Sequence, residues 1–112
     1  MNVELEQHAA AVVVRPVGRL DSATSGALER QVIEQIDHGA RRVILDFSQL
    51  AYISSAGLRV VLLGGKRLKA AGGALHLCGL SPQVKEVFAI SGFAAMFPIH
   101  DDLSKALAAT DG

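Results

Sequence analysis

Short apolar runs alternate along the chain with longer stretches whose apolar residues recur at helical spacing. Val3–Gln7 (VELEQ) alternates apolar and polar positions and reads as a strand. Ala11–Leu20 (AVVVRPVGRL) is rich in β-branched valine and reads as a second strand. The two are close enough to form an antiparallel hairpin around His8–Ala10. Pro16 has no backbone N–H, so its donor side must meet a sheet edge or a bulge. Asp21–Ser25 (DSATS) is a polar break dense in helix-capping residues. Leu28, Val32, Ile33 and Ile36 then follow one helical face, and Gly39 stands where a glycine just past a helix end belongs. Val43–Phe47 (VILDF) is a short apolar run of the kind found in buried parallel strands.

A second helical stripe is carried by Leu58, Val61, Leu62, Gly65 and Leu68 and stops near Gly72–Gly73. Ala74–Cys78 (ALHLC) reads as a strand. Ser81-Pro82 is a capping serine followed by proline at the first helical position, and Val84, Val87 and Phe88 give that helix its apolar face. Gly92 ends it. Met96–Ile99 reads as a last strand, and Asp101 as the cap of a final helix carrying Leu103, Ala106 and Leu107. The predicted order is β-β-α-β-α-β-α-β-α. It implies an α/β fold: one domain over residues 1–112, with a mainly parallel sheet of four to five strands, an N-terminal antiparallel hairpin and about four helices.

Composition narrows the function more than the fold. With 11 basic and 11 acidic residues the formal charge is zero. A neutral chain without a basic cluster has no electrostatic reason to hold nucleic acid or an anionic membrane. The single cysteine, Cys78, excludes an internal disulfide and fits a reducing cytoplasm. No apolar run approaches the ~18 residues of a membrane span, and the N-terminal MNVELEQHAA does not read as a signal peptide. Tryptophan is absent, and four Phe and one Tyr are the only aromatics. Few aromatics make the chain a weak candidate for enclosing an organic ligand.

The most informative segment is Leu45–Leu63 (LDFSQLAYISSAGLRVVLL). A buried strand leads into a polar loop that ends in Ser54-Ser55-Ala56-Gly57, and a helix follows at once. One of the two serines lies at or near the helix N-cap, where free N–H groups and the helix dipole favour negative charge. A phosphate on such a serine would be tolerated there. Gly57 leaves the first turn open to close approach. On a helical wheel Arg59, Val60 and Leu63 point away from the apolar stripe, which suggests a docking surface on that side. An ordinary capping serine beside an isolated exposed leucine would look the same.

Other motifs carry less. Gly64-Gly65-Lys66-Arg67 lacks the spacing of a phosphate-binding loop and falls inside a helix. His8, His38, His76 and His100 have no ligand partners at metal-site spacing. Cys78 reads as a small buried hydrophobe. No catalytic Ser-His-Asp or Cys-His motif is recognisable.

The segment resembles the anti-sigma factor antagonist family, whose fold is the STAS domain. The resemblance lies in Asp46-Phe47-Ser48, Leu50, Tyr52-Ile53 and Ser54-Ser55-Ala56-Gly57-Leu58. It extends to the Gly18-Arg19-Leu20-Asp21 turn, to Ser81-Pro82 with Val87-Phe88, and to Gly92-Phe93. It implies a phosphoacceptor serine two residues before the motif glycine, here Ser55, with Ser54 as second choice. It also implies an acidic residue of the first βα loop, here Asp21, close to that serine. Many family members carry aspartate directly before the acceptor, and this chain has Ser54 instead. By the same resemblance the unmodified protein binds an anti-sigma factor that is also a serine kinase and releases its client. Phosphorylation switches this binding off, and a metal-dependent serine phosphatase reverses it. ATP and Mg²⁺ then belong to the kinase, and the chain is a substrate with no cofactor of its own. The expected docking face comprises Asp21, Ser54, Ser55, Ala56, Gly57, Arg59, Val60 and Leu63. A different use of the same fold is an unphosphorylated scaffold, such as an accessory subunit of a membrane transport system.

Overall fold

The valine-rich run organises the sheet. In the computed structural model, which describes residues 1–110, β1 (Asn2–Gln7) and β2 (Val12–Leu20) form the antiparallel hairpin. β2 then pairs in parallel with two different strands. Val12–Val14 lie beside β3 (Arg42–Asp46), and Gly18–Leu20 lie beside β4 (Leu50–Ile53). Pro16 falls between these two partners, where the β2 ladder changes neighbour and a missing donor is tolerated. β5 (Ala74–Cys78) pairs with β3, and the short β6 (Ile99–His100) pairs with β5, both in parallel. The order is β1-β2-β3-β5-β6, with β4 attached to the far half of β2.

Six strands among the described residues exceed the four to five predicted. The additional one is β4, in the segment whose sequence predicts a polar loop. Its burial runs in-out-out-in, so the period-two alternation that marks a strand is missing. The last strand is also shifted. Phe93–Ala95 form a 3-10 turn, and pairing begins at Ile99 rather than Met96.

Four helices cover the sheet: α1 (Ser25–Asp37), α2 (Ser55–Ala70), α3 (Pro82–Ile90) and α4 (Leu103–Thr110). α3 starts as predicted, with the Val84 N–H donating to Ser81 Oγ at 3.3 Å and Pro82 at the first position. α4 is capped by Asp102 and not by Asp101. The Lys105 N–H donates to Asp102 Oδ1 at 2.9 Å, while Asp101 pairs with the Lys105 ammonium. Alternation along β2, β3 and β5 builds two cores. Val12, Val14, Val43, Leu45, Leu75 and Leu77 face α1, α2 and α3, and Val13, Ile44 and Cys78 face Ala106 of α4. Each well-buried Val or Leu contributes about 1.5–3 kcal/mol to folding.

The α4 side of the sheet also carries charge. Arg15 Nε donates to the buried Asp46 carboxylate at 2.8 Å and also pairs with Glu4 and Glu6 across the hairpin. Burial alone would raise the Asp46 pKa, but the Ser48 N–H and Arg15 outweigh it and hold the carboxyl below its usual range. Next to this group, burial pushes the Cys78 thiol up to about 12, which keeps it a protonated, inert side chain. One contact was not legible in the sequence. His76 Nδ1 and His100 Nε2 lie 2.9 Å apart in nearly parallel rings, brought together by the β5–β6 pairing.

Candidate functional site

Two parallel strand ends assemble the site. Leu20 closes β2 opposite Ile53, the last residue of β4, and the Ser54 N–H donates to the Leu20 carbonyl at 2.8 Å. The next residue on one side is Asp21, and on the other side α2 begins. The β2–β4 register therefore brings the first βα loop beside the Ser54-Ser55 step.

The two serines differ sharply. Ser54 is the N-cap residue of α2, with extended backbone angles (φ −98°, ψ 177°), yet its side chain caps no N–H. Its hydroxyl oxygen is buried and has no hydrogen-bond partner among the described residues. Ser55 is the first helical residue and is exposed. The first-turn N–H groups of Ser55, Ala56 and Gly57 have no intrahelical acceptor, because the preceding turn does not exist. Partial positive charge therefore gathers beside the exposed Ser55.

Asp21 is fixed by its own loop. Its Oδ1 accepts the Ala23 N–H at 2.9 Å and the Thr24 N–H at 3.2 Å, and the Thr24 hydroxyl donates to the Arg19 carbonyl at 2.7 Å. The Ala23 N–H foremost, then Thr24, hold the carboxyl below its usual range. An ionised carboxylate is thus held at the rim, in a turn built from the DSATS segment.

Two residues of the expected docking face belong to the interior. Gly57 is buried, and a Cβ there would come within 2.8 Å of both Leu20 and Ile53. Its small size serves the approach of α2 to the strand ends and does not leave room for another molecule. Val60 is buried as well. The inward line of α2 is Gly57, Val60, Val61, Gly64 and Leu68, turned from the stripe that the apolar side chains suggested. The reason is that glycines occupy two of these inward positions and carry no hydropathy signal. Gly64 faces Val32 of α1, where a side chain would hold the helices apart. Leu63 and Ala56 are half-buried, so Leu63 is not the exposed apolar anchor expected of it. Ser55 and Arg59 remain exposed, four residues apart on one helix face.

The exposed apolar surface next to Ser55 comes instead from β4. Tyr52 is 40% exposed, and the Arg19 guanidinium lies 4.2 Å from its ring centre. Neither was singled out as a site residue in the sequence. Among the described residues no cluster of three or more His, Cys, Asp and Glu could hold a metal ion. No helix among them is long and apolar enough to cross a membrane.

Residues 2–106 match the STAS domain family. The chain belongs to that family. A curated relative from Bordetella bronchiseptica, BtrV, described as a candidate anti-sigma factor antagonist, is 51% identical over 92 residues, covering 82% of this chain and 79% of BtrV. The anti-sigma F factor antagonist of Paenibacillus polymyxa is 31% identical over 108 residues, 96% of this chain and 92% of its own. Among solved structures, the anti-sigma factor antagonist SpoIIAA in its unphosphorylated form superposes with a TM-score of 0.85 at 27% identity, covering 99% of this chain and 97% of that one. The phosphorylated form of SpoIIAA, the Bacillus cell fate determinant, superposes with a TM-score of 0.74 at the same 27% identity, covering 96% and 97%. The STAS fold expected from the sequence is therefore the fold of this chain, with β4 as its additional strand.

Proposed function

We propose that the chain is an anti-sigma factor antagonist that works by partner switching in the cytoplasm. The unphosphorylated form binds an anti-sigma factor that is also a serine kinase, and the client of that kinase is released. The kinase, with its own ATP and Mg²⁺, transfers phosphate to Ser55, and a metal-dependent serine phosphatase removes it. The chain is the substrate in both steps.

One observation carries this reading: the exposed Ser55 hydroxyl opens α2, while the neighbouring Ser54 hydroxyl is buried. A kinase must bring the acceptor oxygen in line with a γ-phosphate, and of the two serines only Ser55 offers an oxygen without local unfolding. The phosphate would add about −1.5 to −2 charge at neutral pH, beside helix N–H groups that favour an anion and beside the ionised Asp21 that does not. The fold can therefore hold the modified serine, while a partner docked over it would have to desolvate the new charge. That cost reaches several kcal/mol for an unpaired ion, and about 1.4 kcal/mol is a tenfold loss of affinity. The relatives named as anti-sigma factor antagonists, one of them solved in a phosphorylated form, support the same role.

The test is phosphosite mapping with the kinase from the native host. Wild type and Ser54→Ala should incorporate one phosphate, mapped to Ser55, and Ser55→Ala should incorporate none. Incorporation at Ser54, or none at either serine, would remove the switch and leave a static STAS scaffold.

A further inference from the structure

We propose that the groove between β4 and α3 selects the partner, by taking an acidic side chain flanked by apolar residues from the kinase that docks over Ser55. The inference rests on the partner-switching reading and names the chemistry of the surface next to the acceptor. The groove encloses about 380 Å³ and is lined by Arg19, Tyr52, Ile53, Gln83, Val84 and Val87. Ile53 leads directly into Ser54-Ser55, and Arg19 lies two residues before Asp21, so the groove and the acceptor share one rim.

Its charge is what identifies an occupant. Arg19 is exposed, and among the described residues no carboxylate lies within ion-pair distance of it; Asp21 is near enough to feel its charge but is held by its own loop, whereas Arg15 on the same strand pairs with three carboxylates. The Arg19 guanidinium carbon lies over the Tyr52 ring, 4.2 Å from its centre. A guanidinium offers N–H donors in the fork geometry that matches a carboxylate. The contact with Tyr52 also lowers the entropy lost when such an arginine is captured. The apolar lining is exposed Ala51 and half-buried Val87, backed by the buried Ile53 and Val84, and exposed Gln83 completes it. A basic or purely polar segment would leave either the guanidinium or the apolar lining without a complement. Partly exposed Tyr and Arg side by side with an apolar lining are the composition of an interface anchor.

The primary test measures the affinity of the unphosphorylated full-length chain for the kinase that modifies Ser55. Arg19→Glu should weaken binding at least about tenfold, since it sets like charges face to face. Tyr52→Ala should weaken it severalfold, and Arg19→Lys should fall between wild type and Arg19→Glu. Wild-type affinity should fall with salt more steeply than that of Arg19→Glu. Circular dichroism should report unchanged folding for these exposed substitutions. Binding of Arg19→Glu within twofold of wild type would overturn the proposal, even if Ser55 phosphorylation still abolishes binding. A second arm needs no kinase. A peptide of alternating Glu and Leu should shift the backbone NMR signals of Arg19, Tyr52, Val84 and Val87, and the same peptide with Lys for Glu should not. Equal response to both peptides, or to neither, would also overturn it. Failure of the switch itself reads out elsewhere, as equal kinase affinity of Ser55→Ala and Ser55→Asp.

Discussion

Ser54 and Ser55 are chemically identical neighbours, and one residue step along the chain separates their fates. Ser54 ends a strand pairing and turns its hydroxyl into the protein, where it finds no hydrogen-bond partner among the described residues. An unpaired buried hydroxyl costs about 1–3 kcal/mol. Ser54→Ala should therefore leave thermal stability unchanged or raise it, by up to about 1 kcal/mol. Loss of a working cap would instead lower it by about 1 kcal/mol, so denaturation of this single variant tells the two roles apart. Gly57 makes the opposite case. A methyl group there meets Leu20 and Ile53 at 2.8 Å, and both belong to the core. Gly57→Ala should cost about 1–3 kcal/mol in urea unfolding through overpacking. In sequence both serines fitted the start of the helix equally well. What separates them is the parallel register of β2 against β4, a pairing between residues more than thirty positions apart.

At the scale of elements, β2 shows how one strand serves two tasks. Its first half pairs with β3 and builds the sheet, while its last residues pair with β4 and aim the first βα loop at the start of α2. The sequence announced the valine run, the helices and the parallel order, because these follow from local pattern. It did not announce β4, whose in-out-out-in burial shows no period, nor the true inward face of α2. That face is marked by Gly57 and Gly64, which contribute shape and no hydrophobicity. The hairpin is tied to β3 by Arg15, which neutralises the buried Asp46. Arg15→Met removes that pairing and leaves the carboxylate with the Ser48 N–H as its remaining support. We expect a loss of about 3 kcal/mol in chemical denaturation, at the lower end for a broken buried pair because the Arg15 side chain retains 14% exposure.

Across the whole molecule, two groups make stability depend on pH in the same direction. His76 is held below its ordinary value of 6.5, first by burial and then by His100. The unfolded chain therefore takes up a proton at this position before the folded chain does, and stability falls as pH drops below 6.5. Asp46 acts lower, because its folded pKa lies beneath the ordinary 3.8 and its contribution is lost as pH falls through that folded value. Thermal melts should show a decline from pH 7 to pH 5, and His76→Gln should flatten it. A melting curve flat over that range in wild type would contradict the placement of His76. Charge on the same scale gives the switch its contrast. The chain has zero formal charge, and one phosphate would carry it to about −2 at a single helix end.

The most direct test of the switch is the affinity of the partner kinase for two variants that differ only at Ser55. Ser55→Ala should bind as tightly as the unphosphorylated wild type and stay bound in the presence of ATP. Ser55→Asp, with a carboxylate at the start of α2, should bind at least about tenfold more weakly. Equal affinity of the two would show that charge at Ser55 does not govern docking, and partner switching through this residue would be excluded.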